Sequence, residues 1–439
     1  MLVRDIARSV FGRSIPIANA AFGLVATLAA CQLNPAAAQD DWGQFRGQMS
    51  RGESAAENVP TEWSADESIA WRVPLERSGN GSPAIVGELV LIAGAAGEKA
   101  ERKTLAAYRV SDGSLVWEQV CDGPVEATHE TNPSGGTTPA SDGETVVVWH
   151  GTAGLFAYRV ADGEPLWSRQ LGTFEHMWGQ GTSPIIVGDR VILSSGPSKQ
   201  EIFVAAFDLA SGETLWRHVE PMDGDGETNT EGKYMGSWSS PVPVEVEGTE
   251  IALVSLPTRV VGFEVATGKL KFWCEGTRGP RGDLSYSSPV ISGDLCAVTG
   301  GYQGPSFAFR LGGSGDITES NRLWRVEQNP QSIGTGVTVD GYLYQSEAGP
   351  GIIRCIDLGT GEVKWQQRAS KEHWASVILA GGRCYALAQD GTTLVFEPNP
   401  ERFIEIAENQ LGEPSNSTPA PIHGGLIIRT ANSLIRIGQ

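Results

Sequence analysis

Ala206-Phe207-Asp208-Leu209-Ala210-Ser211-Gly212-Glu213-Thr214-Leu215-Trp216 returns later in the chain as Cys355-Ile356-Asp357-Leu358-Gly359-Thr360-Gly361-Glu362-Val363-Lys364-Trp365. In both, an apolar run ends in an Asp, a Gly turn follows, and a tryptophan sits four residues beyond the Gly. Further copies are Asp112-Gly113…Trp117, Asp162-Gly163…Trp167 and Thr267-Gly268…Trp273, with looser ones around Trp324 and Trp71. A second element precedes the turns: Ser82-Pro83, Thr138-Pro139, Ser183-Pro184, Ser240-Pro241, Ser288-Pro289 and Thr418-Pro419, each opening a strand-like run. Self-similarity of this kind marks a repeat architecture before any local argument begins.

The best-formed unit runs from Ser183 to Trp216. Pro184 starts a first strand, where its missing N–H costs least. Gly188-Asp189 turns into Arg190–Ser194, Ile202–Asp208 forms a third strand, and Thr214–Arg217 a short outer one. Four antiparallel strands per unit of about 40–55 residues make a propeller blade. Openings at Ser82, Thr138, Ser183, Ser240, Ser288, Gly336, Ser376 and Thr418 predict an all-β, eight-bladed β-propeller over 68–439. The last opening leaves three strands before the chain ends, and the strand around Trp71 supplies the fourth, which removes free sheet edges. A seven-bladed ring would leave Trp71 without a partner. Trp71, Trp117, Trp167, Trp216, Trp273, Trp324 and Trp365 recur at the outer-strand position and are expected to dock between neighbouring blades.

Composition narrows the functions. The net charge of −19 repels nucleic acid and anionic lipid at long range. Besides Cys31 there are five cysteines, none in a CxxC pair; Cys296, Cys355 and Cys384 alternate with apolar residues as buried small hydrophobes, and a disulfide between two of them stays open. Arg4, Arg8 and Arg13 followed by the apolar run from Ile15 to Ala30 predict an export signal. Two processing sites compete. Leu28-Ala29-Ala30-Cys31 fits a lipobox that would anchor a lipoprotein through Cys31, and Ala36-Ala37-Ala38 fits ordinary cleavage after residue 38. Either places the protein in the periplasm, at the outer membrane or outside the cell, with 39–67 as a lead-in to the propeller.

The repeats 206–216 and 355–365, with the lead-in Asp41-Trp42-Gly43-Gln44-Phe45-Arg46-Gly47, closely resemble the pyrroloquinoline-quinone-binding-like propeller repeat proteins. That group includes the lipoprotein of the outer-membrane β-barrel assembly machine. The resemblance implies the fold, and through its dehydrogenase branch a quinone with calcium. The vicinal Cys-Cys that many of the alcohol enzymes stack on the quinone is missing from this sequence, and the catalytic Asp and calcium ligands find no matching positions. No catalytic residue, metal site or cofactor is assigned.

A ligand would enter at the loops leading into the innermost strands. The residues two before each opening are Asn80, Gly136, Gly181, Trp238, Tyr286, Gly334, Trp374 and Asn416. Nearby lie His129, Glu130, Asn132, His176, Trp178, Gln331 and His373. Together they predict an aromatic, hydrogen-bonding funnel for a flat or sugar-like molecule or a peptide strand. The acidic loop Asp223-Gly224-Asp225-Gly226-Glu227 reads as solvated sooner than as a calcium site, because it lacks the full spacing. Two functions follow: a non-catalytic binding or assembly scaffold, which is preferred, or a reduced quinone-dependent dehydrogenase of alcohols or sugars.

Overall fold

A computed structural model describes residues 42–349, 351–369 and 371–438, so the export signal expected from the sequence, with Cys31 and both candidate processing sites, lies outside the described residues. Eight sheets of antiparallel strands follow one another around a central channel. They occupy residues 84–122, 140–169, 185–220, 242–275, 290–326, 337–368, 378–410 and 420–438, here blades one to eight. In blade eight the outer strand is Ile69–Pro74, antiparallel to Ser433–Gly438. The ring is therefore closed by strands from both ends of the chain.

In every blade the pairing of the third and fourth strands slips by one residue. In blade three Ala206 faces Trp216 and Phe207 faces Thr214, so Leu215 is the extra residue and is left 46% exposed. The bulge aims Trp216 at the next blade, where its Nε1 donates to Val265 O at 2.9 Å. The same bond recurs from Trp71 to Val110, Trp117 to Val160, Trp167 to Leu209, Trp324 to Leu358 and Trp365 to Asn399. Below most of these rings lies the turn Gly of the next blade, Gly113, Gly163, Gly212, Gly268 or Gly361, at φ between 72° and 76°. A side chain there would collide with the indole.

Trp273 departs from the expectation. It stands five residues after Gly268, so its side chain falls on the opposite face, and Phe272 occupies the docking position opposite Gly262. Trp273 packs instead against the core shared by blades three and four, with the Arg259 guanidinium 5.2 Å from its ring. The cause lies in blade five, where residues 311–321 replace the Gly turn and pair Gly315–Asp316 with the blade-four edge. Blade seven carries Ala407 at this position, because the split blade eight has no turn for a ring to cover.

A second series closes the ring from inside. The N–H of each opening residue donates to the hydroxyl of the next blade's: Ser82 to Thr138, Thr138 to Ser183, Ser183 to Ser240 and Ser240 to Ser288. The cycle continues from Ser288 to Thr335, Ser376, Thr418 and back to Ser82, all at 2.9–3.1 Å. Blade six thus opens at Thr335, one residue before the Gly336 expected from the sequence.

The lead-in is a plug. Trp42 bridges Ile85 of blade one, Gly43 O accepts from Ser141 N of blade two, and Gln44 Oε1 accepts from Ile186 N of blade three. Across the channel the buried Arg46 guanidinium donates to Thr335 O and Gly336 O of blade six and to Val377 O of blade seven. Burial lowers its pKa to about 9, which leaves it charged at neutral pH. Glu53–Ser54 then adds in parallel to the innermost strand of blade seven, and Trp63 stacks on Tyr385. The five cysteines of the propeller are free thiols. No described helix is long and apolar enough to cross a membrane.

Candidate functional site

The loops that carry the chain from one blade's outermost strand to the next blade's innermost strand converge above the hydroxyl ring. They enclose a cavity of about 470 Å³, with Phe45 of the plug among its lining residues. One wall is aromatic. Trp178 is its centre, with ring centroids 4.8 Å from Tyr234, 5.9 Å from Trp238, 6.4 Å from Tyr286 and 6.2 Å from Tyr302. Trp238 is locked by its Nε1 bond to Gly179 O at 2.9 Å. Tyr286 lies against the Gly301 backbone, where any Cβ would stand 2.6 Å from its ring. Tyr302 and the following Gln303 are held at φ 53° and 62°, left-handed conformations that cost energy in residues with side chains.

The rest of the wall carries amides. Asn80 Nδ2 and Asn416 Nδ2 both donate to Thr131 O, at 2.8 and 3.2 Å, and Asn132 Nδ2 donates to Trp178 O and Gln180 O. His129 bonds Thr131 Oγ1 through Nδ1 at 2.7 Å, which fixes the same loop. Gln331 and Trp374 also line the cavity. Its floor includes the hydroxyl-ring residues Ser240, Ser288, Thr335, Ser376 and Thr418.

Of the residues singled out from the sequence, His129, Asn132, Trp178, Trp238, Tyr286, Gln331 and Trp374 line this one cavity. Glu130 does not: it is exposed outside it. His176 is buried behind the aromatic wall, 4.9 Å from the Trp238 ring, with Nε2 against Met235 O at 3.2 Å. Burial lowers its pKa and keeps it neutral, so it props the wall from behind. His373 is likewise buried and lies off the cavity, its pKa lowered by burial to about 4. Sequence reasoning missed Tyr234, Tyr302 and Phe45. Tyr302 projects from a turn inside blade five, and Phe45 arrives from the plug; neither precedes an innermost strand. Asp225 Oδ1 of the acidic loop accepts the N–H groups of Glu227 and Thr228, and Asp223 pairs with Arg278 at 3.1 Å.

Among the described residues, no carboxylate, Lys or Arg side chain lines the funnel. No group of three or more His, Cys, Asp or Glu among them could hold a metal ion. A polycarboxylated quinone finds no Lys or Arg among the lining residues, Arg281 reaching only the Tyr302 ring at 5.7 Å, and calcium finds none of the carboxylates it favours. The residues present do not fit that pair.

A family model described as outer membrane protein assembly factor BamB matches residues 61–300 and 313–399. The chain belongs to this family. Among solved structures, BamB from Moraxella catarrhalis superimposes with a TM-score of 0.59 at 14% identity, covering 84% of this chain and 99% of that one. Quinohemoprotein alcohol dehydrogenase from Comamonas testosteroni gives 0.66 at 14% identity, covering 91% and 81%. A europium-containing methanol dehydrogenase gives 0.53 at 11%, covering 90% of each chain. At these identities the likeness is one of fold. No curated protein matches the chain. The family match skips 301–312, the stretch that holds the Tyr302 turn.

Proposed function

We propose that the protein is an exported, non-catalytic binding propeller that receives its ligand or partner in the central funnel. One observation carries this reading: the funnel gathers aromatic rings and amides on loops fixed by a rigid ring, yet presents no carboxylate, Lys or Arg for chemistry. The BamB family match supports a role in the cell envelope and a protein partner, and the cationic, apolar N-terminal sequence supports export, with a lipid anchor at Cys31 if the lipobox is used. Nucleic acid suits neither the acidic charge nor the cation-free funnel.

The test sets binding against quinone catalysis. Pyrroloquinoline quinone with calcium is titrated into the protein, and alcohols and aldoses are assayed with an artificial electron acceptor. No saturable quinone binding and no turnover is the expected result. Saturable binding abolished by Trp238→Ala, together with turnover, would replace the scaffold with a dehydrogenase.

A further inference from the structure

We propose that the funnel binds an uncharged carbohydrate, stacked on the Trp178 wall and hydrogen-bonded by the facing amides. The proposal rests on the binding reading above and names the class of ligand. The absence of lining carboxylate, Lys and Arg disfavours phosphates, acidic sugars, metal ions and peptide carboxylate termini. The site is nonetheless rich in hydrogen-bonding groups. The Gln331 amide, the Trp178 indole N–H and the hydroxyls of Tyr234, Tyr286 and Tyr302 have no protein hydrogen-bond partner among the described residues, and neither do the carbonyl oxygens of Asn80 and Asn132. A wholly apolar ligand would strip water from all of these and return nothing. A pyranose answers both halves of the site. Its C–H face matches the broad, tilted surface of Trp178, Tyr234 and Trp238, and its neighbouring hydroxyls match a planar amide that both donates and accepts.

A peptide strand fits less well. The N–H groups of the eight opening residues, which include those of the funnel floor, are all donated to hydroxyls of neighbouring blades, so a peptide lying on that floor finds none of them free. The strained backbone at Tyr302 and Gln303 supplies an independent pointer, because such conformations cluster where a side chain must be held for a ligand.

The experiment titrates the mature chain with neutral cello-, xylo-, malto- and chito-oligosaccharides and their monosaccharides. An oligogalacturonate and a capped neutral peptide are run in parallel, with calorimetry and tryptophan fluorescence as readouts. The expected result is saturable binding of at least one neutral glycan, weakened at least about tenfold by Trp178→Ala and to a smaller extent by Gln331→Ala. The thermal midpoint of Gln331→Ala should match the parent, and that of Trp178→Ala should fall less than that of Trp365→Ala. Trp365→Ala, which removes a ring docked between blades, should lower the midpoint and leave the affinity unchanged. Binding of an oligosaccharide but not its monosaccharide identifies a polymer segment as the ligand; equal binding identifies a free sugar. Failure of every neutral glycan to bind at millimolar concentration overturns the proposal, as does equal binding of oligogalacturonate. If the peptide alone binds and Trp178→Ala abolishes it, the carbohydrate falls while the binding scaffold stands. Quinone binding with turnover would remove both.

Discussion

Gly188 and Gly212 share a left-handed backbone, at φ 58° and 72°, yet alanine should treat them differently. A Cβ at Gly188 meets nothing within 4 Å, so Gly188→Ala should cost only the backbone strain, about 1–2 kcal/mol. A Cβ at Gly212 would stand 2.6 Å from the Trp167 ring, and displacing the indole adds an overpacking cost that brings the loss to about 3 kcal/mol. Urea unfolding of the two variants checks the difference; equal losses would mean that the ring does not press on the turn. The same contrast explains what could be read in advance. The Gly-to-Trp spacing of four made the docking position legible, while the spacing of five at Trp273 did not reveal that Phe272 had taken its place.

For the blade as a unit, Trp216 couples two neighbours through its bond to Val265 O and its contact with Gly268. The ring is only half-buried, so Trp216→Ala should cost about 2–4 kcal/mol, toward the lower end for buried aromatics. Trp273→Ala should cost somewhat less, about 2 kcal/mol, because its ring packs on the same core and under a cation but makes no indole bond to a neighbouring blade among the described residues. Chemical denaturation that ranks the two in reverse would contradict the register. Strand number, blade order and the closing strand were all legible, since each depends on local alternation and turn residues. The candidate funnel was half legible. Residues two before each opening share one structural level, which brought Trp238, Tyr286 and Trp374 together correctly. Burial of His176 and His373 was hidden, because a loop's inward or outward turn depends on packing from distant blades.

Across the whole molecule, buried histidines tie stability to pH. Burial lowers His150 to about 3 and His373 to about 4, and lowers His176 as well. In the unfolded chain each would pick up a proton near pH 6.5, so stability should fall as pH drops from about 6.5 to 4. Glu347, buried in contact with Arg354, acts in the opposite sense: its pKa is raised by burial to about 7, and it gains its proton in the folded state first. The melting midpoint should therefore fall with acid, less steeply in His373→Gln and more steeply in Glu347→Gln. A midpoint that rises between pH 6.5 and 4 would show that Glu347 dominates. Deleting residues 42–75 should abolish the single cooperative transition and cause aggregation, since it removes both the plug and the outer strand of blade eight. A truncated chain that melts as sharply as the parent would show that the ring closes without them.

Pairing of Ile69–Pro74 with Ser433–Gly438 also sets a timetable. The strand that completes the last blade is made long before its partner, with blades one to seven between them in the chain. Throughout that interval blades one to seven have no closed ring to belong to, and the plug has no channel to enter. Such long-range contacts slow folding, because the entropy of joining distant segments is lost before any contact repays it. A chain built this way gains from staying unfolded until both strands of the closing pair have emerged.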